Sequence, residues 1–186
     1  MSDTEFFAAY GRFMAAWADV ELEVYKVLLH YSGVTKAVGR AIFSGTRARQ
    51  AMAFIEAIDE NEKIDEVRIK DLKYVFEQVK IINTVRDRLA HHLSEMSYGV
   101  DPKRPDGRAY TNAYKANKYT KIQVWYVDTS ALKEMTEDLY LSMNHLSQHY
   151  GNAQENGFRP WREDPADDAP TPWLYKSPQP EKMAGR

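Results

Sequence analysis

Residues 71–96, DLKYVFEQVKIINTVRDRLAHHLSEM, place apolar side chains at Leu72, Val75, Phe76, Val79, Ile82, Leu89, Leu93 and Met96. Steps of three, four and seven collect these on one side of a helix turning about 100° per residue. The stretch predicts a long amphipathic helix over about 64–98, the element around which the rest must pack.

The same period extends upstream. Phe6, Tyr10, Phe13, Trp17, Val20, Val24, Val27, Leu28 and Tyr31 predict a helix over roughly 4–31, with Gly33 as its stop. Residues 35–60 repeat the pattern through Val38, Ile42, Ala48, Met52, Ile55 and Ile58. Gly45 falls on that stripe, where a missing side chain would let another helix approach closely. Downstream the composition changes: VDPKRPDGRAYTNAYKANKY is rich in turn formers, and KIQVWYV at 121–127 reads as a strand able to pair with residues near 108–114. Asp128, Thr129 and Ser130 supply N-cap chemistry for a fourth helix over 130–150, with Leu132, Met135, Leu139, Met143, Leu146 and Tyr150 on its stripe and Gly151 as its end. The expected fold is all-α: a four-helix up-and-down-type bundle in residues 1–151, with a β-hairpin or irregular insertion at about 99–127. A Pro-rich, acidic, irregular tail follows at 152–186, with Phe158, Trp161 and Trp173 as surface anchors.

The chain has 186 residues, 44% of them apolar, enough for one domain with a core. It has no cysteine, which excludes a disulfide scaffold, a thiolate zinc site and a cysteine nucleophile, and suits a reducing cytoplasm. No apolar run reaches the roughly 18–20 residues of a membrane span, and MSDTEFFAAYGRF lacks the basic and apolar regions of a signal peptide. A formal net charge of −2 gives no global attraction to nucleic acid, so any such binding rests on a local patch.

TVRDRLAHHLSE (84–95) carries the chemistry. Arg86 lies seven residues from Val79 and seven from Leu93, inside the apolar stripe, and an arginine there requires a partner or a polar cleft. Glu21, seven residues from Met14 and from Leu28 in the first helix, is the candidate partner; the plain alternative is an ion pair that only sets helix register. His91 is five residues past Arg86, about 140° round a straight helix. The two converge if the helix ends or bends, if Arg86 reaches around it, or across a two-fold axis from a second copy. His92, adjacent, points elsewhere and stands, with Glu21, as a supporting residue rather than a catalytic one. Histidine moves protons near neutral pH, arginine holds phosphate in a planar fork, and Asp87 can orient either. The set suits RNA cleavage by attack of the 2′-hydroxyl; the plain alternative is a charged helix end.

Arg86-Asp87-Arg88-Leu89-Ala90-His91 resembles the R-x4-H signature of the HEPN superfamily, in which a polar residue commonly follows the arginine. FMAAWADVELEVYKVLL, with its Glu21, and AIFSGTRARQAMAFIEA are similar to HEPN proteins of bacterial defence and toxin systems. The resemblance spans roughly residues 5–150. It implies a metal-independent endoribonuclease acting on RNA at a composite homodimer site without a cofactor, with Arg86 and His91 as the catalytic pair and Asp87 as the polar supporter. It also implies, for a toxin, an antitoxin or other regulator. One toxin subgroup has a modifiable tyrosine two residues after the histidine; here that position is Leu93. The superfamily also contains silent modules that bind RNA, nucleotide or protein partners.

Lys103, Arg104, Arg108, Lys115, Lys118 and Lys121 are interleaved with Tyr110, Tyr114 and Tyr119, a composition suited to an RNA backbone and stacked bases. The plain reading is a solvated hairpin whose tyrosines pack on the bundle. His145 and His149 stand four apart, but NHLSQH lacks the glutamate of H-E-x-x-H, so a solvated or core-edge pair is favoured over a metal site.

Overall fold

The computed structural model describes residues 3–92, 108–111, 123–150, 173–176 and 181–182. The elements in chain order are α1 (Asp3–Ser32), α2 (Lys36–Phe43), α3 (Ala48–Glu62), α4 (Glu66–His92), β1 (Arg108–Thr111), β2 (Gln123–Val127), α5 (Thr129–Gln148) and β3 (Glu181–Lys182). The described residues are mostly helical, as the apolar period predicts, and none of their helices is long and apolar enough to cross a membrane.

The local signals act where they stand. Gly33, at φ +65°, follows the last residue of α1. The Asp128 carboxylate accepts a hydrogen bond from the Ala131 amide at 2.7 Å and starts α5. The expected second helix is instead two helices. Gly45 takes φ +81°, and the Thr46 amide bonds back to the Phe43 carbonyl at 3.0 Å, so the chain turns where a continuous helix was expected. Gly45 therefore serves the turn rather than a helix contact, and a Cβ built on it meets nothing within 4 Å. Gly45→Ala is expected to lower stability by about 1–2 kcal/mol, because only the left-handed backbone is at stake; urea denaturation checks this. The close approach occurs at Gly39, where a Cβ would stand 2.0 Å from a Leu29 methyl of α1. Val38 and Ile42, expected on the buried stripe, are exposed.

The core joins Phe6, Phe13, Trp17, Val20, Val24, Val27 and Leu28 of α1 to Leu72, Val75, Phe76, Val79, Ile82 and Leu89 of α4. Met52 and Ile55 of α3 and Leu132, Met135, Leu139 and Leu146 of α5 complete it. Within it α4 runs antiparallel to α3, since Lys73 meets Asp59 and Lys80 meets Glu56. It also runs antiparallel to α5, since Asp71 meets His145 and Gln78 meets Asp138. Both partners in that second pairing step by seven residues, so two polar rungs sit in one seam and fix the register of α4 on α5. That register brings the start of α5 level with the end of α4.

The predicted hairpin forms: β1 and β2 pair antiparallel, with Arg108 opposite Val127 and Thr111 opposite Val124. Val127 is buried at the base of the hairpin, and β1 lies against α4. The tail was expected to be irregular, but β3 adds to the other edge of β2, with Val124 opposite Glu181. Trp173 and Tyr175 are also buried in the core rather than resting on the surface. Gly151, Phe158 and Trp161 lie outside the described residues.

Candidate functional site

Arg86 sits on the last turns of α4 with its side chain 21% exposed, so the phase count rightly removed it from the solvent face. Its Nη1 donates to Asp87 Oδ1 at 2.9 Å, and its guanidinium lies 5.8 Å from the centre of the Trp17 ring. A cation over an indole face is favourable by about 0.5–2 kcal/mol. The Asn83 amide donates to the other Asp87 oxygen at 3.3 Å, so Asp87 is held from both sides. Among the described residues, two buried donors beside this arrangement have no hydrogen-bond partner: Arg86 Nε and Trp17 Nε1. Tyr10 is close enough to feel the Arg86 charge; burial raises its phenol above the ordinary value and the guanidinium opposes that rise.

Glu21 is partly exposed and makes no hydrogen bond or ion pair with Arg86 among the described residues. The acid buried on α1 is Glu23 instead, bonded by the Tyr150 hydroxyl and by Lys26 at 2.7 Å. His91 is exposed, and α4 stays helical from Glu66 through His92. No helix end separates Arg86 from His91, so within one chain they occupy different faces. The side chain of His92 lies outside the described residues, as do Lys103, Arg104, Lys115, Lys118 and Lys121. Arg108 opens β1, its side chain likewise undescribed.

His145 and His149 are not solvated. Both are buried at the far end of the α4–α5 seam, around the carboxylate of Asp71. His149 Nε2 lies 3.0 Å from Asp71 Oδ2 and His145 Nδ1 lies 3.4 Å from Asp71 Oδ1. Since the carboxylate only accepts, Nε2 of a neutral His149 carries the hydrogen, and Nδ1 accepts from the Tyr31 hydroxyl at 3.0 Å. Among the described residues no three His, Asp or Glu side chains are placed to hold a metal ion. Asp71 is fifteen residues from Arg86, about 22 Å along α4, so this cluster is separate from the Arg86 region.

Burial pushes His149 below the ordinary imidazole value; Asp71 opposes that shift, while Arg68 and His145 add to it. The unfolded chain, with histidine near 6.5, then binds the proton first. The resulting contribution to stability is intact above about pH 6.5 and is lost as pH falls towards the lowered native value. Urea midpoints are expected to drop between pH 7 and pH 5, and His149→Gln to remove part of that slope. Equal slopes in the two proteins would refute the assignment.

Sequence reasoning passed over Asp71, Gln78 and Asp138, three buried polar residues that join helices. A signal existed: Asp71 and Gln78 precede the buried Val85 at intervals of seven on α4, as Arg86 follows Val79. Comparison with known protein families, with curated proteins and with solved structures finds no match to this chain.

Proposed function

We propose that the chain is a HEPN-like, metal-independent endoribonuclease that cuts single-stranded RNA at a site completed by a second copy. The observation that carries the reading is Arg86: a half-buried guanidinium with Nη1 committed to Asp87 and a buried Nε that has no hydrogen-bond partner among the described residues. The exposed fifth of the same side chain is where a phosphate oxygen would meet the guanidinium in a charge-assisted bond. The 2′-oxygen attacks phosphorus, the bond to the 5′-oxygen breaks, and a 2′,3′-cyclic phosphate and a 5′-hydroxyl result. The proton leaves the 2′-hydroxyl and the 5′-oxygen acquires one. His91, exposed and free to reach a substrate, acts in that transfer as general acid or base. Its angular distance from Arg86 on an unbroken helix favours a pairing of Arg86 from one copy with His91 from the other. The hairpin, packed on α4 by β1, leads into the basic 112–122 segment and forms one wall of the RNA cleft in this reading. A cytoplasmic setting and restraint by an antitoxin or another regulator belong to the same proposal.

A second reading is a catalytically silent module binding RNA, a nucleotide or a protein. It draws on the same arginine, which is already engaged within its own chain by Asp87 and Trp17. The deciding assay incubates the purified protein with single-stranded RNA, with and without chelator. Cleavage in both, yielding cyclic phosphate ends, is expected; cutting only when metal is present contradicts the proposal.

A further inference from the structure

The seat of residues 173–176 is built as a receptor. Asp138 is 1% exposed, and its two oxygens accept the amides of Leu174 at 2.8 Å and Tyr175 at 2.9 Å. Gln78, from α4, donates to Asp138 at 2.7 Å and to the Tyr175 carbonyl at 3.1 Å. Side chains of two helices thus read the backbone of a third segment. Trp173 and Tyr175 are buried while Leu174 and Lys176 are exposed, the alternation of an extended strand. Trp173 stacks on Tyr74 with ring centres 5.5 Å apart and planes within 18°.

Connectivity does not dictate which copy fills the seat. Asp138 is ten residues before the end of α5, about 15 Å of helix. Residues 149–172 number 24 and can reach about 80 Å when fully extended. An empty seat is costly, because opening gives up three hydrogen bonds to the Leu174 and Tyr175 backbone and the burial of the Trp173 and Tyr175 rings. Exchange for an equivalent segment therefore costs less than simple opening, the condition under which identical elements swap between copies.

We propose that the Tyr74–Gln78–Asp138 seat is a peptide-recognition site for an extended aromatic-x-aromatic segment, and that its partner in trans is Trp173–Lys176 of a second copy. The test uses full-length chains and a fluorescent peptide of residues 169–178. The Trp173→Ala/Tyr175→Ala chain, whose own strap is weakened, is expected to bind the peptide saturably. A Asp138→Ala chain, with a broken seat and an intact tail, is expected to compete; the same chain carrying all three changes is not. N-methylation of the peptide's Leu174 and Tyr175 amides is expected to abolish binding. Absence of binding to a folded double variant, or binding indifferent to N-methylation, overturns the proposal. If the double variant does not fold, Leu174→Pro, which removes one amide donor at an exposed position, takes its place. Failure of both chains to fold also overturns it, since the strap is then a fixed part of the core.

Discussion

His91→Ala is expected to reduce cleavage of single-stranded RNA by about 10²–10⁴-fold, the usual scale for removing a positioned acid or base. The fold should be untouched, because His91 is exposed and makes no hydrogen bond or ion pair among the described residues. Its thermal midpoint should match the wild type. Arg86→Ala is expected to cost at least about 10²-fold through lost transition-state charge stabilisation. It also removes the contact over Trp17 and one side of the support for Asp87, so a stability loss of about 1–2 kcal/mol should accompany it. Arg86→Lys separates the two effects, since it keeps the charge and loses the planar fork. Mixing Arg86→Ala with His91→Ala chains should restore cleavage if each site draws Arg86 from one copy and His91 from the other. Wild-type cleavage by His91→Ala would remove His91 from the catalytic pair, and absence of cleavage by the wild type itself would leave the binding module.

Asp138→Ala should lower stability by about 2–5 kcal/mol. The carboxylate accepts from Gln78 and from two consecutive amides; alanine leaves the Leu174 and Tyr175 amides without their acceptor and Gln78 with only the Tyr175 carbonyl. For a chain of this size that corresponds to a thermal midpoint lower by about 4–20 °C. Asp138→Asn retains one acceptor oxygen and turns an amide towards the same donors, so it should fall between wild type and alanine. Differential scanning fluorimetry ranks the three. A midpoint for Asp138→Ala within a degree of wild type would mean that the tail segment contributes nothing to the fold.

The two predictions differ in how far residues alone could reach them. Arg86 announces itself as a charge at heptad spacing in an apolar stripe. Its partner did not: Glu21 had the right phase on α1, yet Asp87 and Trp17 engage the guanidinium. Phase gives the direction of a side chain about its own axis but not the height at which two helices meet. Asp71 and Gln78 obey the same spacing, and the polar partners at Asp138 and His145 repeat it on α5. Gly45 shows the opposite failure, where a glycine on an apolar stripe was legible and its backbone conformation was not.

From the order of residues alone come the amphipathic periods of the long helices, the stop at Gly33, the cap at Asp128, the hairpin strands and the removal of Arg86 from the solvent face. These follow from local geometry, since 3.6 residues per turn and two per pleat are set within a few neighbouring residues. Tertiary structure decided the break between α2 and α3, the register of α4 on α5, the burial of His145 and His149 around Asp71, and the seating of Trp173 and Tyr175 on Asp138. Each of those depends on which surfaces meet and at what height, and that is determined by the packing of the whole core rather than by any one segment.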